Sequence, residues 1–112
     1  MFRKKILLDL DGVLNEYNTK LYNENIIPKA KTNVAKFLNE LSKDADLYLF
    51  TTRNHLLAAK WLIENNMDIY FKDITSTKIP AYLYIDDRSI CFKGNYEKTL
   101  TEIKEFKAYW KE

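Results

Sequence analysis

The sequence predicts an α/β fold: a mainly parallel sheet with helices on both faces, forming a three-layer sandwich within one domain. Short apolar runs recur at residues 6–8, 47–50 and 81–85, each long enough for a strand and too short for a helix. Segments with apolar residues at helical spacing lie between and after them, and such alternation builds parallel sheets through right-handed crossovers. Each run also ends in polar chemistry: Asp9 and Asp11, Thr51, or Asp86 and Asp87. Ligands of parallel sheets bind beyond the carboxyl ends of the strands, so these three clusters are expected at one edge.

The first strand, Lys5-Ile6-Leu7-Leu8, stops at Asp9-Leu10-Asp11-Gly12. Residues two apart in extended chain share a face, so the two carboxylates can converge. Gly12 follows where the backbone must turn sharply or admit a close neighbour. Residues 15–27, rich in Asn, Tyr and Glu without a clean period, read as a loop or small hairpin over the strand end, a candidate flap. Pro28 suits a helix's first turn, and Val34, Phe37, Leu38 and Leu41 follow at helical spacing through Lys43. Leu47-Tyr48-Leu49-Phe50 forms the second strand and runs into Thr51-Thr52-Arg53-Asn54, where Thr52 or Asn54 can cap the next helix. That helix carries Leu57, Ala58, Trp61 and Leu62 on one side and stops at Asn65-Asn66, residues that tolerate a left-handed backbone. Residues 68–71 are expected to make a short strand and residues 81–85 a buried one. Residues 96–110, with Leu100, Ile103, Phe106 and Trp110 in period, read as a closing amphipathic helix.

Composition narrows the function classes. At 112 residues there is room for one core and one active centre, not for a separate substrate domain. A hydrophobic share of 46% with 14% aromatic residues argues against disorder. A formal charge of +2 supplies no strong steering field, so any anion specificity must be local. The single cysteine, Cys91, excludes an intrachain disulfide and a thiolate metal cluster, and reads as a small packed hydrophobe. No apolar run is long enough to cross a bilayer and no signal-peptide pattern precedes the first strand, so a cytoplasmic location without membrane partners is expected.

The clustered residues suggest phosphate chemistry. Desolvating adjacent carboxylates is costly without a cation, and with no Cys or His cluster the oxygen donors favour Mg²⁺. The Thr51 hydroxyl can donate to a phosphoryl oxygen, and Lys78 can offset negative charge. One carboxylate can attack phosphorus to give an aspartyl phosphate while a second protonates the leaving oxygen and later deprotonates water, and Asp9 and Asp11 suit those roles.

In these residues the chain resembles the haloacid dehalogenase-like (HAD) phosphatase superfamily. Asp9-Leu10-Asp11-Gly12-Val13-Leu14 is similar to its first motif, Leu49-Phe50-Thr51 to its second, Lys78 to its third and Ile85-Asp86-Asp87 to its fourth, in the same order. The resemblance implies a Rossmann-like, HAD-like sheet and Asp9 as nucleophile. Asp11 would be the general acid/base that also lends its main-chain carbonyl to Mg²⁺. Thr51 and Lys78 would hold the phosphoryl group with Thr52 and Gly12 beside them, and Asp86 and Asp87 would complete the metal site. The second aspartate favours a phosphatase over a dehalogenase, since halide departure needs no proton. Neither interval between motifs has room for a cap domain, so the chain resembles a capless member with an open site. The expected partner is a phosphorylated substrate, whether a nucleotide, a sugar phosphate, a protein or a polynucleotide end. Nucleic acid enters only as substrate, and a second protomer could supply the lid.

Other readings are weaker. A lone acidic pair after an apolar run is commonly a solvated turn, and it is the four ordered clusters that argue for catalysis. Val13 and Leu14 do not fit a calcium loop. A receiver-type signalling domain has similar parts in a different order, with its acidic pair first and then the phosphorylated Asp, Thr and Lys, whereas here the second acidic pair, Asp86 and Asp87, comes last; a pseudoenzyme that only binds a phosphorylated partner is a further alternative. Lys72 competes with Lys78 for the basic role. Arg53 and Arg88 are assigned to pairing with nearby acids rather than to catalysis. His55 reads as a surface residue at a helix start, Trp61 and Trp110 as helix core faces, and Tyr17, Tyr22 and Asn23 as flap residues that can touch substrate.

Overall fold

The computed structural model describes residues 3–111. Four parallel strands, β1 (Lys4–Asp9), β2 (Ala45–Phe50), β3 (Phe71–Thr75) and β4 (Leu83–Ile85), form one sheet in the order β3-β2-β1-β4. Helices α1 (Val34–Ser42) and α2 (His55–Glu64) connect the first three strands, and α3 (Tyr96–Glu105) follows the sheet. The expected α/β alternation is present, and the sheet is parallel throughout.

Strand alternation decides which residues make the core. Ile6 and Leu8 of β1 register with Leu47 and Leu49 of β2, and all four are buried. Val34 and Leu38 of α1 and Ala58, Trp61 and Leu62 of α2 pack on that same side. Both helices land there because the chain steps the same way along the sheet twice, and crossovers of one hand put both connections on one face. The ends of α2 follow from its sequence. Asn54 Oδ1 accepts from the Leu56 and Leu57 amides at 2.9 and 3.1 Å. At the other end Asn66 is left-handed (φ 58°), so that Met67 N reaches Leu62 O at 2.8 Å and Asn66 N reaches Ile63 O at 3.0 Å, a Schellman closure. The expected stop at Asn65-Asn66 is borne out, and the Trp61 indole donates to Pro28 O at 3.1 Å, tying the preceding loop to α2.

Several expectations need correction. Helix α1 begins at Val34 rather than near Pro28, because Ala30 is taken into an antiparallel bridge with Asn15 and Asn33 adopts a left-handed backbone (φ 69°). Residues 68–70 form a 3₁₀ turn and the strand comes after them. The last strand is only three residues long and mostly exposed, since it pairs with β1 alone and forms the sheet edge. Helix α3 ends at Glu105, short of Trp110, and none of its residues is buried; Leu100 and Ile103 remain more than half exposed. Residues 76–82, between β3 and β4, contain no helix. Among the described residues the sheet therefore has one tightly packed helical layer, not the expected two. Cys91 is exposed rather than packed.

Leu8 has no solvent exposure and sits on a central strand, whereas Leu100 has 59%. Leu8→Ala is expected to cost about 3 kcal/mol by urea denaturation. Leu100→Ala should stay within about 0.5 kcal/mol, and a larger loss would mean that α3 is packed in solution.

Candidate functional site

The sheet order creates a switch point. From β1 the chain moves outward to β2 and β3, then returns to place β4 on the other side of β1, leaving a crevice beyond the carboxyl ends of β1 and β4. Asp9 ends β1, and Asp86 and Asp87 follow β4, so the three acids straddle that crevice. One carboxylate oxygen from each lies within 4.8 Å of the others. Oxygens on opposite vertices around a Mg²⁺-sized ion stand roughly 4.2 Å apart, so small side-chain rotations would let the three share one cation. The crowding has an electrostatic signature: burial and then the charges of Asp86 and Asp87, with a hydrogen bond to Asp87, push the Asp9 carboxyl up from 3.8 to about 8. An all-oxygen cluster that resists holding its own negative charge fits a hard divalent cation, which would supply the missing positive charge.

Asp11 has different company. Extended chain would have aimed it with Asp9, but β1 ends at Asp9 and the next residues wind into a turn, with Leu14 N on Leu10 O at 3.0 Å. Its carboxylate meets the Arg53 guanidinium twice, Nε to Oδ2 at 2.8 Å and Nη2 to Oδ1 at 3.1 Å, and Oδ1 also accepts from Asn15 Nδ2 at 3.1 Å. Both oxygens act as acceptors. The Arg53 side chain is 1% exposed, and its Nη1 donates to Asn23 O at 2.7 Å, which ties the loop of residues 15–27 to the turn after β2. Arg53 thus pairs with an acid, as expected, but that acid belongs to the site. Thr51 is buried and its Oγ1 accepts from Arg53 N at 3.1 Å, leaving the hydroxyl hydrogen free to donate.

Gly12 shows both features expected of it. Its φ is +86°, and a Cβ there would lie 2.1 Å from Asp87 Oδ2. Its amide donates to Asn15 Oδ1 at 3.1 Å, so in this arrangement it is not offered to phosphate. Its carbonyl accepts from the Tyr109 hydroxyl at 2.6 Å, and the Trp110 indole N–H donates to Asp87 Oδ2. Trp110 therefore lies beyond α3 against the acidic cluster, not on a helix core face.

Two openings reach the acids. A polar mouth of about 270 Å³ is lined by Asp9, Asp11, Thr52, Asp87, Tyr17, Tyr22 and Arg88. A larger, mainly apolar cavity of about 570 Å³ includes Leu7, Phe50, Tyr84, Asp9, Asp86 and Lys78. Lys78 is exposed, with its ammonium 4.7 Å from the centre of the Tyr84 ring, and it donates to none of the acids. Neither opening includes Thr51 in its lining, whereas Thr52 faces the mouth. Arg88 lies over the Trp110 and Tyr17 rings at 4.9 and 5.9 Å, and among the described residues it forms no ion pair. His55 is exposed at the start of α2. Sequence reasoning missed Asn15, Tyr109 and Trp110. An asparagine four residues after Asp11 leaves a faint local signal, but nothing local links residues 109 and 110 to Gly12 and Asp87.

Between pH 4 and pH 8 the folded chain retains an Asp9 proton that the unfolded chain has lost, so metal-free stability should fall as pH rises through that window and level off above it. Urea titrations in EDTA should show this slope in the parent and its absence in Asp9→Asn, whose amide carries no charge. Arg53→Met should cost about 3 kcal/mol, at the low end for breaking a buried pair because Asp11 keeps some water contact. A loss below about 1 kcal/mol would show that the Arg53 link is incidental.

No family model matches the chain, and no curated protein matches it. Among solved structures, the chain is similar to one described as the conserved protein coded by a locus from Bacteroides thetaiotaomicron, with 22% sequence identity and a TM-score of 0.62 over 93% of this chain and 92% of that one. At that identity the likeness establishes a shared fold.

Proposed function

We propose that the protein is a Mg²⁺-dependent phosphomonoester hydrolase that works through an aspartyl phosphate on Asp9, on a capless, HAD-like and Rossmann-like sheet. The observation that carries this reading is the meeting of Asp9, Asp86 and Asp87 at the β1/β4 switch point, with Asp11 facing the same mouth. Asp9, Asp86 and Asp87, with the Asp11 main-chain carbonyl that the family resemblance implies, would hold the cation. When bound, it would neutralise phosphoryl and carboxylate charge and keep Asp9 ionised.

In this mechanism an Asp9 oxygen attacks phosphorus, the bond from phosphorus to the leaving oxygen breaks, and Asp11 gives that oxygen a proton. Water then attacks the acyl phosphate, Asp11 takes the water proton, and phosphate leaves with Asp9 restored. Lys78 and the Thr51 and Thr52 hydroxyls would orient the phosphoryl oxygens. Since Arg53 and Asn15 occupy both Asp11 oxygens, Asp11 must loosen from one of them before it can transfer a proton. The open mouth suits a nucleotide, a sugar phosphate or a phosphorylated polynucleotide end, or closure by a second protomer.

The occupation of both Asp11 oxygens by Arg53 and Asn15 favours one other reading, a domain that accepts or binds a phosphoryl group without turnover. Phosphate release from a panel of nucleotides, sugar phosphates and 3′-phosphorylated oligonucleotides separates the two. Multiple turnovers dependent on Mg²⁺, background activity in Asp9→Asn and a loss of about 10²–10⁴-fold in Asp11→Asn are expected for the hydrolase. Phosphorylation that stops at one equivalent would support the alternative, and undiminished turnover in Asp9→Asn would sink the nucleophile.

A further inference from the structure

The segment after α3 leaves the helix and returns to the acids. Ala108 is buried, at 6% exposure, the only residue from 86 to 111 in the core. From that anchor the Tyr109 hydroxyl reaches Gly12 O at 2.6 Å, and the Trp110 indole N–H reaches Asp87 Oδ2. The contact is tightly packed. A Cβ added at Gly12 would lie 2.1 Å from that same Oδ2 and 3.1 Å from Trp110 Nε1, so glycine backbone, carboxylate and indole leave one another little room. Trp110 also stands edge-on to Tyr17, with ring centres 5.0 Å apart, and carries the Arg88 guanidinium over its ring.

We propose that Trp110 is a positioning residue for the cation centre: it fixes the Asp87 carboxylate through its indole N–H and joins it to Tyr17 and Arg88 at the mouth. This rests on reading Asp9, Asp86 and Asp87 as that centre. An indole N–H only donates, so it occupies one Asp87 oxygen and leaves the rest of the carboxylate for Asp9 and the cation. Asp87 stands among other acids, and without this bond mutual repulsion would favour turning it outward to water. A donor that holds a ligating carboxylate in place typically changes metal affinity by about 10–100-fold. Because Trp110 also touches Tyr17, cation binding and the position of the loop at residues 15–27 become coupled.

The test is Mg²⁺ binding by calorimetry to the full chain, alongside indole emission during the same titration. The parent should bind, Asp9→Asn should not, and Trp110→Phe, which keeps an aromatic ring and loses the donor, should bind about 10-fold more weakly with its thermal midpoint little changed. Tyr109→Phe, which frees the segment from Gly12 without touching Asp87, should show a smaller loss. Trp61 is buried on α2 and bonded to Pro28 O, so the Mg²⁺-dependent emission change should belong to Trp110 and vanish in Trp110→Phe. Unchanged affinity in a folded Trp110→Phe overturns the inference and spares the cation centre. A parent that binds no Mg²⁺ overturns both. Should Trp110→Phe fail to fold, parent emission decides: no change at saturating Mg²⁺ overturns the inference.

Discussion

Three carboxylates at the β1/β4 switch point are the constraint on which the rest of the site depends. Asp9, Asp86 and Asp87 place oxygens within 4.8 Å of one another, and burial, followed by the charges of Asp86 and Asp87, raises the Asp9 carboxyl to about 8. Like charges at such distances destabilise the folded chain unless protons or a cation neutralise them. The neighbouring groups are consistent with that demand. Gly12 clears space beside Asp87, Trp110 donates to it, and Lys78 lies in the adjoining cavity without claiming any of the acids.

Asp11, two residues from Asp9, shows how sharply environment separates chemically identical groups. It lies outside the acidic cluster and is held by a buried guanidinium and an asparagine amide. Arg53 does more than neutralise it. Through Asn23 O and the Tyr22 ring, 4.9 Å from its guanidinium carbon, it connects the turn after β2 to the loop at the mouth. A shift of that loop would therefore be felt at the Asp11 carboxylate through Arg53.

The sheet itself is lopsided. Ile6, Leu8, Leu47 and Leu49 are sealed under α1 and α2, while the opposite face, with Leu7, Phe50 and Tyr84, borders the larger cavity. That asymmetry follows from strand order: two successive crossovers in one direction use up both close-packed helices on one side. The acids lie at the rim between the sealed and the open side, where a carboxylate can be partly desolvated and still reachable.

The amino-acid sequence by itself determined the parallel α/β alternation, the polar ends of the strands, the Asn54 cap and Asn65-Asn66 stop of α2, and the candidate acids Asp9, Asp86 and Asp87. These are readable because periodicity, capping and strand-end position are local properties that survive in any compact arrangement. Tertiary structure decided what local chemistry leaves open. Packing at the edge left the residues of β4 mostly exposed although their sequence looks buried, and it left the apolar stripe of α3 uncovered. The end of β1 at Asp9 sent Asp11 to Arg53, 42 residues away, and the return of the chain after α3 brought Tyr109 to Gly12, 97 residues away, and Trp110 to Asp87. Such pairings depend on where whole elements come to rest, and neither residue type nor spacing carries that information.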